Sequence, residues 1–138
     1  MKVACLTVFY DGMQQFTKEY MQCIKEQTYS DFTLVIVNDG YPDDLNKILG
    51  EYNIRASVID KMATPQQNRL QGMKYCYDHE YDVIICSDSD ETMYPDRIEH
   101  NYEYFSRYPE RDLVFNNSVG DNTEQYFDLF YKNKIEFE

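Results

Sequence analysis

Three carboxylates fall within four positions, Asp88, Asp90 and Glu91, directly after the apolar run Val83-Ile84-Ile85-Cys86. Like charges so close repel one another unless a cation or hydrogen-bond donors offset them. Asp88-Ser89-Asp90 is therefore either a solvated polar turn, for which Asp and Ser are ordinary residues, or part of a site. Two residues apart on a locally extended chain, Asp88 and Asp90 would point the same way. Paired carboxylates without His or thiolate favour the hard cations Mg²⁺ or Mn²⁺, which complete their shells with water and substrate phosphates. A diphosphate that brings its metal with it would tolerate such an acidic pocket, and Arg69, near a helix start, is a cation for it. Other chemistries lack their residues. No G-x-G-x-x-G follows the first apolar run, and no Gly-rich loop ends in Gly-Lys-Ser/Thr. The two imidazoles, His79 and His100, sit in polar, helix-like surroundings that suit surface histidines, so nucleophilic triads have no support.

Strands ending at polar breaks are the elements able to present these side chains. Residues 2–9 are apolar and β-branched, as in a strand covered on both faces, and Tyr10-Asp11-Gly12 breaks them. Residues 32–37 repeat the pattern and end at Asn38-Asp39-Gly40; residues 54–59 predict a weaker third strand. Between them, helical spacing predicts helices over 14–27 and 43–52. Thr64-Pro65-Gln66-Gln67 reads as a capping box with proline at the first helical position. That helix is expected to run to about Tyr77 with Leu70, Met73 and Cys76 or Tyr77 inward. A further helix starts at Pro95, with Ile98, Tyr102 and Phe105 inward, and ends near Tyr108-Pro109. Residues 113–116 predict a short strand, 117–123 a polar loop, and 126–137 a hairpin or a terminal helix. Alternating strands and helices imply an α/β fold, a mostly parallel sheet with helices on both faces. In such sheets ligands bind beyond the C-terminal strand ends, and Tyr10-Asp11, Asn38-Asp39-Gly40 and Asp88-Ser89-Asp90 all fall on that edge.

The totals set limits. A chain of 138 residues makes one domain, and 43% apolar content with 14 Tyr and 8 Phe argues for a packed core. A net charge of -12 argues against nucleic acid or an anionic membrane as the main partner. No apolar run reaches the roughly 20 residues a membrane span needs. Cys5, Cys23, Cys76 and Cys86 lie apart among apolar neighbours, without metal-type spacing, and predict buried thiols in a reducing, cytoplasmic compartment.

Taken in order, Tyr10-Asp11, Gln27-Thr28-Tyr29, Val37-Asn38-Asp39-Gly40, Arg69-x-x-Gly72 and Asp88-Ser89-Asp90-Glu91 with Pro95-Asp96 resemble a family-2 glycosyltransferase. The resemblance covers residues 2–116 and implies the GT-A fold, a nucleotide-sugar-binding α/β domain. By that resemblance Tyr10 and Asp11 line the nucleobase pocket, Asp39 hydrogen-bonds base or ribose, and Arg69 approaches the diphosphate. Asp88 and Asp90 become the D-x-D motif, Asp88 toward ribose and metal and Asp90 the main ligand of Mn²⁺ or Mg²⁺. The implied partner is a nucleotide-diphosphate sugar, a UDP-sugar first. The acceptor is unknown, and a homo-oligomer is among the states the tyrosine content allows. Family members usually continue for another hundred or so residues, which carry the acceptor site and an acidic base. The expectation here is a single domain over 1–138 with that half absent or minimal. The late acids Asp121, Glu124 and Asp128 stand in no recognisable motif, so the catalytic base is unknown.

Two alternatives start from the same turn. A truncated domain could bind a nucleotide or a partner chain without transferring sugar. Alternatively, Asp88-Ser89-Asp90-Glu91-Thr92 matches the D-x-D-x-T motif of haloacid-dehalogenase-like phosphatases, with Asp88 as nucleophile and Asp90 as general acid. That motif normally follows the first strand of its sheet.

Overall fold

The structure is a computed structural model and describes residues 1–114. Strands β1 (Val3–Tyr10), β2 (Phe32–Asp39), β3 (Ala56–Asp60) and β4 (Val83–Cys86) form one sheet in the order β3-β2-β1-β4. All three ladders are parallel, as expected of strands joined by helical crossovers. Helices α1 (Thr17–Lys25), α2 (Leu45–Tyr52), α3 (Pro65–Asp78) and α4 (Arg97–Arg107) make the connections and follow β4.

Strand alternation sorts the core into two layers. Val3, Cys5 and Phe9 of β1, with Leu34 and Ile36 of β2 and Val83 and Ile85 of β4, face α1, α2 and α4. Ala4 and Leu6, with Val35 and Val37, face α3 through Cys76. Helices thus cover both faces, which is why β1 and β2 carry unbroken apolar runs.

Several expected boundaries and faces shift. The helix expected over 14–27 divides into a 3₁₀ turn, Gln14–Phe16, and α1. Asp44 caps α2, its side chain accepting from the Lys47 amide at 3.2 Å, so the helix begins two residues after 43. The third strand sits two residues later at its start than expected, at Ala56. Thr64 and Gln67 form the reciprocal capping box with Pro65 in the first turn, as read from sequence. The inward face of α3 is in part a correction: Cys76 is buried as one of the expected alternatives, but Leu70 is 64% and Tyr77 81% exposed, Met73 is exposed too, and Asn68 and Gly72 are buried in their place. Gly72 explains this. A Cβ there would lie 2.4 Å from Leu6 Cδ1 and 3.1 Å from Val37 Cγ2, so the helix approaches the sheet along its smallest residue.

Helix α4 starts at Arg97 rather than Pro95, with Ile98 buried and Tyr102 and Phe105 half-buried against the core. Leu113 is exposed, and neither it nor Val114 belongs to a strand. The rest of that expected strand, the loop 117–123, the segment 126–137 and the acids Asp121, Glu124 and Asp128 lie outside the described residues. All four cysteines are free, three buried and Cys86 half-buried. Among the described residues, no helix is long and apolar enough to cross a membrane.

Candidate nucleotide-sugar site

From β1 the chain steps through β2 to β3 on one side, then returns through α3 to place β4 on the other. Strand order reverses between β1 and β4, the place where open α/β sheets bind ligands beyond their C-terminal edge. Tyr10 ends β1 and pairs in register with Asp39, which ends β2. Asp88 lies two residues past β4.

A cavity of about 590 Å³ opens there, and the structure brings all six residues singled out in the sequence to its wall: Tyr10, Asp11, Asp39, Arg69, Asp88 and Asp90. Val8, Pro65, Ser89 and Glu91 complete the lining. Pro65 marks the N-terminus of α3, whose dipole favours an anion, although proline brings no amide hydrogen and the capping box takes up the amides of Thr64 and Gln67.

Both central carboxylates already have donors. Arg69, one turn into α3, forms an ion pair from Nη2 to Asp88 Oδ1. The Tyr10 hydroxyl donates to Asp90 Oδ2 at 3.2 Å across the gap between β1 and β4. Partial burial, then the neighbouring Asp90 and Asp88 carboxylates, push the Tyr10 phenol above its usual range, so it stays a donor at neutral pH. Asp11 is fixed by its own turn: Gln14 Nε2 donates to Asp11 Oδ1 at 2.7 Å, and Gln14 Oε1 accepts from the Gly12 amide at 2.6 Å. Gly12 has φ of 110°, open to glycine and strained for other residues.

Other residues hold the acidic turn from below; from sequence alone Ser87 and Ser89 have no role, and Gln27-Thr28 only a place in the family motif. Ser87 is buried, its hydroxyl 2.6 Å from the Tyr20 hydroxyl and 3.5 Å from Cys5 Sγ. Ser89, 2% exposed, donates to the Val8 carbonyl at 2.7 Å. Downstream, Gln27 accepts from the Ile98 amide at 3.2 Å, supplying the cap that Asp96 does not give α4, and donates to the Tyr94 carbonyl at 2.9 Å. The Thr28 amide donates to the Pro95 carbonyl at 2.8 Å. Gln27-Thr28 therefore clamps the segment leaving the site. As isolated letters, serines and glutamines carry no signal of burial, since only their partners across the fold put them inside.

Among the described residues, no three His, Cys, Asp or Glu side chains cluster as a ready metal cage. Asp88 and Asp90 present hard carboxylate oxygens to a cavity with room for further donors. That donor set fits Mg²⁺ or Mn²⁺ sharing its shell with phosphate oxygens and water.

A model of the Glycosyl transferase family 2 matches residues 5–134. The chain belongs to that family. Crystal structures of similar fold include S. aureus TarS 1-349 in complex with UDP-GlcNAc, 17% identical with a TM-score of 0.64, covering 88% of this chain and 38% of that one. The TarS 1-349 complex with UDP has a TM-score of 0.66 at 16% identity, covering 88% and 39%. The mannosyltransferase PcManGT from Pyrobaculum calidifontis, in complex with GDP-Man and Mn²⁺, has a TM-score of 0.60 at 12% identity, covering 76% and 32%. No curated protein matches the chain. The chain spans only about a third to two fifths of the length of these solved chains. Its parallel sheet with helices on both faces is of GT-A type. Family and topology both speak against the phosphatase alternative, because Asp88 follows β4 rather than the first strand.

Proposed function

We propose that residues 1–138 form a single domain that binds a nucleotide-diphosphate sugar, a UDP-sugar first, and serves transfer of its hexosyl group to an acceptor. The observation that carries this reading is the convergence of Tyr10, Asp11, Asp39, Arg69, Asp88 and Asp90 on one cavity at the strand-order reversal. Tyr10 and Asp11 take the nucleobase and Asp39 the base or ribose. The positive end of the α3 dipole and Arg69 take the diphosphate, where a planar guanidinium can match phosphate oxygens in pairs. Asp88 and Asp90 would hold Mn²⁺ or Mg²⁺, the chemistry of which is to stabilise charge on the departing nucleoside diphosphate. UDP, UDP-GlcNAc and GDP-Man with Mn²⁺ in the similar structures support this ligand class. Four free thiols, three of them buried, support a reducing, cytoplasmic setting.

Calorimetry with UDP in the presence and absence of Mn²⁺ tests the reading. Binding that requires Mn²⁺ and disappears in Asp90→Ala is the expected result; absent or metal-independent binding would overturn it. A panel of UDP-, GDP- and CDP-sugars then fixes the nucleotide, and hydrolysis of the bound sugar reports transfer chemistry.

A further inference from the structure

The ladder between β1 and β4 pairs Leu6 with Cys86, and its last backbone bond runs from the Ser87 amide to the Leu6 carbonyl at 2.9 Å. Parallel ladders repeat every second residue, so a longer β4 would next place the Ser89 amide on the Val8 carbonyl. The chain turns away instead, with the Glu91 amide closing onto the Asp88 carbonyl at 3.2 Å. The Ser89 hydroxyl takes the vacant place on Val8, at 2.7 Å. Ser87 is meanwhile tied into the opposite layer by the Tyr20 hydroxyl at 2.6 Å.

From this geometry we propose that Ser89 is a positioning residue. By standing in for a backbone donor on β1, its hydroxyl fixes where the turn leaves the sheet and therefore where Asp88 and Asp90 stand in the cavity. The middle residue of Asp88-Ser89-Asp90 is then not a spacer. Its side chain points in from a turn whose flanking acids point out, and it is nearly fully buried between two exposed groups. An alanine at 89 leaves the Val8 carbonyl without its donor and frees the turn to drift along the cavity edge. Displacement of a fraction of an ångström matters for a pair of carboxylates sharing one small cation, which demands near-octahedral geometry if it is Mg²⁺. Residues supporting metal ligands from behind typically change affinity about 10- to 100-fold when removed.

The inference rests on the reading of Asp88 and Asp90 as the metal–diphosphate ligands. Its test measures UDP affinity by calorimetry for the whole chain and for Ser89→Ala, in Mn²⁺ and in EDTA, with thermal melting alongside. Expected for Ser89→Ala are a cooperative melt and UDP affinity in Mn²⁺ weakened about 10-fold, with any affinity remaining in EDTA unchanged. A variant that binds as tightly as the parent in Mn²⁺ overturns the positioning role and leaves the nucleotide reading standing. Equal losses in Mn²⁺ and in EDTA overturn it too, because general damage to the pocket would not distinguish the metal. Should the parent chain show no Mn²⁺-dependent binding, both readings fall together.

Discussion

Arg69 and Asp88 form the pair from which the site's behaviour is most directly argued. Each side chain is close to half exposed, so solvent screens the pair and its worth to the fold is small, under about 1 kcal/mol. Arg69→Ala is accordingly expected to leave chemical denaturation nearly unchanged. Its effect on ligand should be larger, because a guanidinium on phosphate makes charge-assisted bonds worth about 1.5–3 kcal/mol. UDP affinity in Mn²⁺ should fall about 10-fold or more by calorimetry, and Arg69→Lys should recover only part of it, lacking the planar fork. At this scale the sequence was informative where charge was concentrated. Asp88 and Asp90 drew notice because repulsion between neighbouring acids needs a reason. The structural roles of Ser87, Ser89 and Gln27 were not legible, because they lie in partners 67 to 81 residues away.

Helix α3 is the element that most shapes the cavity and the one whose packing the sequence concealed. Its cap was readable from Thr64, Pro65 and Gln67, since capping is local chemistry. Its inward face was not, because the apolar letters Leu70, Met73 and Tyr77 turn outward and a glycine takes their place. Periodicity weighs hydrophobic side chains and is blind to a contact made by the lack of one. Gly72→Ala should therefore destabilise, against the usual gain of about 1 kcal/mol when alanine replaces a helical glycine. The added methyl meets Leu6 and Val37 in a packed layer, an overpacking cost of about 1–3 kcal/mol. Urea denaturation with a lowered midpoint and an unchanged slope would show it. Since Arg69 rides on the same helix, a shift of α3 away from the sheet should also weaken UDP binding.

For the molecule as a whole, the thiols set a pH limit. Burial pushes Cys5 and Cys76 up to about 11 from an ordinary value near 9, and pushes the fully buried Tyr20 phenol well above its usual range. Above pH 9 the unfolded chain releases its thiol protons, whereas the folded chain keeps them until about pH 11. The folded state then holds more protons, so stability should fall as pH rises across that window. Melting temperatures from pH 7 to 11 would trace the fall, and Cys5→Ala should flatten part of it. The layering itself was legible, because apolar runs closed by Tyr10-Asp11 and Asn38-Asp39-Gly40 can hardly be anything but covered parallel strands. Strand order was not, since alternation of strands and helices is the same whichever side β4 joins. That order has a kinetic consequence. Tyr10 and Asp90 meet across 80 residues of sequence, and β1 lacks one neighbour until β4 arrives. Long-range parallel pairing is slow to form, so one wall of the cavity is assembled early and the other closes late. On a ribosome, the emerging chain would hold a sheet with a bare flank until the acidic turn had been synthesised, and only then acquire a pocket.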